Sequence, residues 1–326
     1  MNQAAIIPAQ NADEQLSLRI EKCVSVADGV VALTLAKADS GPLPGWSPGA
    51  HIDLILPNGV TRQYSLCGNP ADNSRWRIGV LLAPASRGGS SYIHSELRAG
   101  NRLVASHPRN NFPLDTAERY LFIAGGIGIT PILPMLAELS ARGAEWHLLY
   151  GGRTARSMAF KEEIAELAGG TLELRPEDEC GLLDLDACLT AHEPGRVVYC
   201  CGPEPLIKAV ENRCASWPSG ALRKERFAPS ERQTPLDPGA FEVELARSGR
   251  RVVVPADRSM LNVLEDAGCA ITNSCRAGIC GTCLVRVLAG IPEHNDDILN
   301  DQQREAGDVV LPCVSRSRTA TLVLDL

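Results

Sequence analysis

Residues 1–116 show short runs in which apolar and polar positions alternate, separated by turn residues. Alternation with a period of two is typical of strands that bury one face. One helix-like stretch, SSYIHSELRAG at 90–100, interrupts the series. Several short strands with a single helix predict an antiparallel β-barrel. The predicted strands are 16–26, 30–38, 50–57, 62–68 and 76–82.

From residue 117 to 228 the pattern changes to apolar strands that alternate with helices. This alternation predicts an α/β domain, with a parallel sheet covered by helices on both faces. Ligands of such sheets bind beyond the C-terminal ends of the strands. Two glycine-bearing turns, GGIGITP at 125–131 and CCGPEPL at 200–206, follow predicted strands and should meet at one crevice. The segments are a strand, turn and helix over 122–143, a strand and turn over 196–206, strands at 146–153, 171–176 and 221–227, and helices at 161–170, 182–189 and 206–217.

The C-terminal part, residues 239–326, returns to short strands around one helix. Ser259 is a predicted N-cap for the helix MLNVLEDAG at 260–268. The preceding segment, APSERQTPLDP, is rich in proline and polar residues, which predicts a linker at 229–238. The predicted strands are 241–246, 250–254, 283–290 and 321–326.

Composition narrows the class of protein. The chain has 326 residues, a net charge of −7 and a pI near 5.5. An acidic chain argues against nucleic-acid binding, which needs a basic surface. No apolar run approaches the roughly 18 residues of a membrane span, and the N-terminus lacks the features of a secretory signal. We therefore expect a cytoplasmic protein whose twelve cysteines are thiols or metal ligands rather than disulfides.

Four cysteines have ligand spacing. Cys275, Cys280 and Cys283 follow the pattern C-x4-C-x2-C in CRAGICGTC, and Cys313 follows later. This is the spacing of plant-type 2Fe-2S ligation, and soft thiolates suit iron–sulfur clusters. Glycines between the cysteines permit the tight backbone turns that such a loop needs. Zinc is the competing metal, but structural zinc usually takes paired C-x2-C units. Ordinary buried cysteines are the third alternative.

The turn at 125–131 is a candidate dinucleotide site. Gly126 and Gly128 let the backbone approach a pyrophosphate at a helix N-terminus. The third glycine position of the G-x-G-x-x-G fingerprint is Pro131, so the motif is incomplete. The alternative is an ordinary turn between a strand and a helix.

Two stretches of the predicted barrel are candidate phosphate and ring contacts. Arg62, Tyr64 and Ser65 offer a cation, an aromatic ring and a hydroxyl. Gly88, Gly89 and Ser90 open the helix-like patch, so their amides could cradle the same phosphate. The alternatives are a strand end and a helix cap.

Together these motifs resemble the ferredoxin-NADP reductase superfamily, and their order resembles the phthalate dioxygenase reductase family. Vanillate demethylase and carnitine monooxygenase reductases are similar in organisation. Only residues 1–15 and 228–238 fall outside the resemblance. It implies an FMN-binding barrel at 1–116, an NAD-binding α/β domain at 117–228 and a β-grasp ferredoxin domain at 239–326.

The resemblance also implies roles for single residues. Thr130, Cys201 and Phe227 should lie at the hydride-transfer site, although Phe227 could be a core aromatic at a domain edge. Cys201 is expected as a small side chain near the reacting carbon, since hydride transfer needs no nucleophile. The remaining cofactor-binding residues are Arg62, Tyr64, Ser65, Gly88, Gly89 and Ser90 for FMN, and Gly126, Gly128, Thr130, Gly202 and Pro203 for NADH.

The implied function is the reductase component of a Rieske-type oxygenase or demethylase in aromatic catabolism. Electrons would pass from NADH through FMN and the 2Fe-2S cluster of a monomeric protein to the oxygenase. A self-contained NAD(P)H oxidoreductase with a small-molecule acceptor is the alternative, and a zinc-stabilised scaffold is another. The sequence leaves NADPH as an alternative electron donor, because Arg153 and Arg156 follow the second strand of the nucleotide domain, near where a 2′-phosphate could bind.

Overall fold

A computed structural model describes residues 15–230 and 239–326 of the chain. The chain divides into two compact units, residues 1–227 and 228–326. Most of the predicted linker, residues 231–238, lies outside the described residues. Among the described residues, no helix is both long and apolar enough to cross a membrane.

The first half of unit 1 is the predicted antiparallel barrel. Its strands follow the order β4-β3-β6-β1-β2-β5, with β7 beside β3, and every pair is antiparallel. A bridge between Leu66 and Ile78 joins the two edge strands and closes the barrel. The short strands β6 and β7 were not predicted, and the helix ends at Glu96 rather than at residue 100. The elements are β1 Leu16–Ala27, β2 Val30–Lys37, β3 Ala50–Ile55, β4 Thr61–Ser65, β5 Trp76–Leu81, α1 Gly89–Glu96, β6 Arg102–Ala105 and β7 Arg109–Asn110.

The second half of unit 1 is the predicted parallel sheet, in the order β10-β9-β8-β11-β12. The strand order reverses at β8, so the predicted crevice lies between the ends of β8 and β11. Two predicted helices are shorter than expected, since α3 and α5 span only about one turn each. The elements are β8 Arg119–Gly125, a 3-10 turn Gly126–Gly128, α2 Ile129–Ala141, β9 Trp146–Gly152, a 3-10 turn Ala155–Ser157, α3 Lys161–Ala165, β10 Gly170–Pro176, α4 Glu177–Cys180, α5 Leu185–Cys188, β11 Arg196–Cys201, α6 Glu204–Cys214 and β12 Leu222–Glu225.

The two halves of unit 1 share one buried cluster. Val30, Ala32 and Cys67 of the barrel belong to the same cluster as Phe122 and Phe160 of the parallel-sheet half. The barrel has a separate interior core that includes Ile52, Trp76 and Ile93. Because burial of apolar surface stabilises the shared cluster, the halves are held in a defined arrangement.

Unit 2 is a β-grasp fold. Its sheet has the order β14-β13-β19-β15-β17, in which β13 and β19 are parallel and β16 pairs separately with β18. Met260 and Leu264 of α7 pack on Val243 and Leu322 of this sheet. The predicted strand at 283–290 begins at Val285, because the preceding residues belong to the cysteine loop. The elements are β13 Phe241–Leu245, β14 Arg250–Val254, α7 Met260–Asp266, β15 Val285–Ala289, β16 Pro292–Glu293, α8 Asp301–Ala306, β17 Val309–Val310, β18 Arg316–Ser317 and β19 Thr321–Leu324.

Candidate functional site

The four spaced cysteines come together in unit 2. Cys275, Cys280 and Cys283 lie in the loop between α7 and β15, and Cys313 lies in the loop after β17. Cys280, Cys283 and Cys313 are buried, and Cys275 is half-buried. No disulfide joins any of the twelve cysteines, all of which lie among the described residues.

The four thiols form two pairs. The Cys280 thiol donates a hydrogen bond to Cys275 and lowers the pKa of Cys275 to about 6. The Cys313 side chain is hydrogen-bonded to Cys283 and raises the pKa of the Cys283 thiol. Over 15–230 and 239–326, no three His, Cys, Asp or Glu side chains converge where they could hold a single metal ion. Two pairs of thiols suit two irons that take two thiolates each.

The loop backbone turns toward the sulfurs. The amide of Ala277 donates to Cys275 Sγ at 3.3 Å, and the amide of Thr282 donates to Cys280 Sγ at 3.5 Å. Two positive φ angles, 74° at Gly278 and 73° at Gly281, make this path possible without side-chain strain. Amide hydrogen bonds to thiolate sulfur stabilise the charged form, so the residues present fit a 2Fe-2S cluster.

Arg276, which follows Cys275, forms side-chain hydrogen bonds within unit 2. Its guanidinium donates to Glu265 at 2.6 Å, to Asn273 at 3.0 Å and to Asn262 at 3.1 Å. Arg316 donates to three backbone carbonyls. These two arginines therefore hold the structure of unit 2 together.

The glycine turns of unit 1 meet as predicted. A Cβ added at Gly128 would lie 2.2 Å from the carbonyl oxygen of Cys201, and one added at Gly202 would lie 3.0 Å from Gly125 Cα. Only glycine permits this approach of two backbones. Thr130 is buried in the first turn of α2, and its hydroxyl donates to the carbonyl of Ile127 at 2.9 Å.

Cys201 cannot act as a thiolate in this position. It is fully buried, and burial raises the pKa of its thiol well above the ordinary value. Its carbonyl rather than its sulfur faces Gly128. Pro203 follows at the start of α6 and lies against Gly125, so it forms part of the wall of the crevice.

The candidate phosphate contacts of the barrel lie together. Arg62, in β4, donates to the carbonyls of Thr61 and Arg87 at 2.8 and 2.9 Å. A Cβ at Gly89 would lie 2.7 Å from Arg62 Cγ, so this arginine packs directly on the start of α1. Gly88 precedes the helix with φ 83°, and no side chain caps the helix. A guanidinium has five N–H donors, so donors remain for an anion at this helix N-terminus.

The other barrel candidates differ in their surroundings. Ser90 is engaged, since its hydroxyl accepts from the amide of Ala83 at 3.1 Å. Tyr64 is half-buried, and burial raises the pKa of its hydroxyl to about 12. Ser65 is buried at the end of β4. Phe227 lies two residues beyond β12, rather than ending that strand, and its side chain is 42% exposed.

The structure adds two residues that the sequence patterns did not indicate. Glu225, the last residue of β12, is half-buried, but its carboxyl lies largely inside the protein and contacts the Ser65 hydroxyl. This burial raises the pKa of the carboxyl to about 8. Nδ1 of His51 lies 4.0 Å from Glu225 Oε1, and burial lowers the pKa of His51 to about 4. The Glu225 Oε2 atom and both ring nitrogens of His51 have no hydrogen-bond partner among the described residues. Buried polar atoms without partners suit a site that a polar ligand completes.

Comparisons with known proteins match two parts of the chain to families. Residues 243–318 match the 2Fe-2S iron-sulfur cluster binding domain. Residues 122–212 match the oxidoreductase NAD-binding domain. The first match contains all four candidate ligands, and the second contains both glycine turns.

Relatives extend over nearly the whole chain. The phenoxybenzoate dioxygenase subunit beta of Ectopseudomonas oleovorans is 42% identical, over 95% of this chain and 97% of that protein. The vanillate O-demethylase oxidoreductase of Pseudomonas sp. (strain HR199 / DSM 7063) is 41% identical, over 92% and 96%. The solved structure of phthalate dioxygenase reductase matches with a TM-score of 0.68 and 34% identity, over 96% of this chain and 98% of that chain. A type IV self-sufficient cytochrome monooxygenase matches with a TM-score of 0.90 and 39% identity, over 96% of this chain and 41% of that chain.

Proposed function

The chain belongs to the family of phthalate dioxygenase reductase, and from this premise we propose that it is the reductase component of an oxygenase system. It passes electrons from NADH through FMN and a 2Fe-2S cluster to a separate oxygenase. The observation that carries the proposal is the pairing of Cys275 with Cys280 and of Cys283 with Cys313, on a chain whose other unit has a nucleotide crevice. Relatives named for a dioxygenase and an O-demethylase support the same reading.

The cofactors follow from electron counting. NADH gives two electrons as hydride, whereas the bound cluster carries one at a time and bound FMN can accept a pair and release single electrons. The side chains of the protein therefore position the cofactors and do not themselves react. The close turns at Gly128 and Gly202 let a pyrophosphate reach the backbone, and Cys201, next to Gly202, is buried.

FMN rather than FAD is the proposed flavin. Arg62 and the open start of α1 at Gly88 and Gly89 would hold a terminal phosphate, with Ser90 at the same helix start. Tyr64 and the exposed ring of Phe227 are the aromatic contacts that we assign to the flavin ring. Burial raises the pKa of Glu225 to about 8 and its carboxyl contacts Ser65, so a protonated carboxyl would lie beside the proposed flavin contacts at neutral pH.

NADH rather than NADPH is the proposed donor. Arg156 is paired with Asp28, at 3.2 Å between Nε and Oδ2. The carbonyl of Arg153 accepts from the amide of Asp178 at 3.2 Å, so the acidic helix α4 lies beside it. Carboxylates at this position disfavour binding of the 2′-phosphate of NADPH and are compatible with binding of the ribose hydroxyls of NADH.

The proposed acceptor is a Rieske-type oxygenase or demethylase of aromatic catabolism. The proposal includes a monomeric chain in the cytoplasm, where NADH is supplied. The likeness to a cytochrome monooxygenase makes an oxygenase of that class the rival acceptor. Reduction of each class of purified oxygenase by this chain, followed anaerobically by absorbance, distinguishes them.

The central test compares two cysteine variants. The wild-type chain should hold about two irons and two labile sulfides and release FMN on acid treatment. Cys280→Ser should lose the cluster while NADH still bleaches the flavin, and electron transfer to the oxygenase should stop. Cys269→Ser is the matched control, because Cys269 is a half-buried thiol without ligand spacing. This variant should keep both the cluster and the electron transfer to the oxygenase. Full transfer by Cys280→Ser would contradict the proposal and favour direct transfer from the flavin to the oxygenase, whereas stoichiometric zinc would favour the scaffold.

A further inference from the structure

Strand β5 is the part of the barrel that lies against the nucleotide-binding half of unit 1. Trp76, Ile78 and Val80 fill the barrel core, so Arg77 and Gly79 point away from it. A Cβ added at Gly79 would lie 2.8 Å from Thr130 Cγ2 and 3.3 Å from Phe160 Cε2. The backbone of β5 therefore touches the turn that is proposed to hold the nicotinamide.

Arg77 joins the two halves at the same place. Its Nη1 and Nη2 atoms donate to the Glu163 carboxylate at 2.9 and 2.8 Å. Its Nε and Nη2 atoms donate to the carbonyl of Cys67, in the barrel, at 3.2 and 2.6 Å. The guanidinium also lies 5.0 Å from the centroid of the Phe160 ring. Because the planar guanidinium of Arg77 bonds to Glu163 on one side and to Cys67 on the other, it fixes the relative orientation of the two segments as well as their separation.

Phe160 is held in an unfavourable backbone conformation. Its φ angle is 61°, in the left-handed region that bulky residues rarely adopt. Such a conformation persists only where the surroundings enforce it, and here Arg77 covers the ring while Gly79 leaves room for it. The contact with Arg77 is therefore one of the forces that keep the 159–163 segment in place.

Tyr150 connects this segment to the glycine turn. Its buried hydroxyl lies 3.1 Å from the carbonyl oxygen of Ala159 and 3.2 Å from that of Gly126, so it can donate to either. A continuous set of contacts thus runs from Arg77 through Phe160 and Ala159 to the Gly126 turn. The barrel, which carries Tyr64 and Ser65, is tied by Arg77 to the turn that faces the nucleotide.

We propose that Arg77 is a positioning residue for hydride transfer, which sets the distance between the nicotinamide and the flavin. The inference rests on the proposed function. In that step NADH gives its C4 hydrogen with both bonding electrons to the flavin and becomes NAD⁺. The side chains of Arg77 and Glu163 are 27% and 44% exposed, so their ion pair contributes little to stability. Its effect is on geometry, to which transfer rates are sensitive.

The test uses the full-length holoprotein in anaerobic stopped-flow reduction by NADH. In Arg77→Met, flavin reduction at saturating NADH should slow by about ten- to a hundredfold, because small displacements have effects of that size. The long-wavelength charge-transfer absorbance of the NADH–flavin complex should weaken in parallel. FMN content should equal that of the wild type, and the NADH dissociation constant should change by less than about threefold.

Arg75→Met is the matched control. Arg75 lies two residues earlier and pairs with Glu21, at 2.6 Å, within the barrel itself. Its variant should keep the reduction rate and the charge-transfer absorbance within about twofold, since no contact to the nucleotide-binding half changes. Glu163→Gln should reproduce part of the Arg77→Met effect, and Arg77→Lys should restore part of the lost rate but not the two-pronged hydrogen bond.

Two outcomes would overturn the inference. One is an Arg77→Met variant with the wild-type rate and charge-transfer absorbance. The other is a rate that falls only together with loss of FMN, which would make the side chain merely structural. A wild-type protein whose flavin NADH does not bleach would instead overturn the proposed function, so the two failures are distinguishable.

Discussion

The buried carboxyl of Glu225 should make the stability of unit 1 depend on pH. Burial raises its pKa from the ordinary value of 4.5 to about 8. Between these values the folded protein keeps a proton that the unfolded chain releases. The unfolded state is then favoured as pH rises, so the contribution of Glu225 is full below pH 4.5 and falls until about pH 8.

His51 has the opposite effect on stability, over a lower pH range. Burial and the nearby charge of Arg109 lower its pKa from 6.5 to about 4, so its contribution to stability rises with pH between those values. The two effects oppose one another between pH 4.5 and 6.5. Of these two groups of unit 1, only Glu225 still titrates between the folded and unfolded states from pH 6.5 to 8, over 1.5 pH units. At about 1.36 kcal/mol per unit, the free energy of unfolding should fall by about 2 kcal/mol across this window.

Urea denaturation of the FMN-free full chain between pH 6.5 and 8 measures this fall. Tryptophan fluorescence reports unit 1 alone, because all four tryptophans precede residue 228. Glu225→Gln should be nearly flat with pH over the window. Glu166→Gln, an exposed carboxyl in the same unit, is the control and should keep the wild-type slope. If Glu225→Gln loses stability in parallel with the wild type, the carboxyl is ionised in the folded state and the reasoning is wrong.

Three further predictions concern the cofactor sites. Gly128→Ala should lower the free energy of unfolding by about 3 kcal/mol and abolish NADH binding, since its Cβ would meet a backbone oxygen at 2.2 Å. Gly45 has open space around it, so Gly45→Ala should change neither the free energy of unfolding nor NADH binding in the same urea and binding titrations. Arg62→Ala should weaken FMN retention by roughly 1.5–3 kcal/mol in a fluorescence titration, and an unchanged affinity would place the phosphate elsewhere. A chain cut to residues 1–230 and supplied with FMN should oxidise NADH with ferricyanide but fail with cytochrome c or the oxygenase; full oxygenase reduction would remove the cluster from the path.

The sequence alone determined the features that depend on local spacing. The C-x4-C-x2-C pattern predicts a cluster loop because three of the four ligands lie within nine residues, and the structure pairs Cys275 with Cys280 as a cluster would need. The alternation of strands and helices predicts the parallel sheet and therefore the edge where Gly128 and Gly202 meet. Turn residues and hydrophobic periodicity carry this information without knowledge of distant contacts. The predicted combination of an antiparallel barrel, a parallel-sheet domain and a β-grasp domain was confirmed.

Tertiary structure decided everything that depends on burial or on residues far apart in the chain. Glu225 and His51 look like ordinary polar residues in strands, and only their burial in the folded chain shifts the pKa values of both. Arg77 and Glu163 are 86 positions apart, so no local pattern pairs them. The hydrogen bond from Arg276 to Glu265 likewise joins residues 11 positions apart. Desolvation and long-range ion pairs are properties of the folded chain, because they arise only when distant segments exclude water from one another.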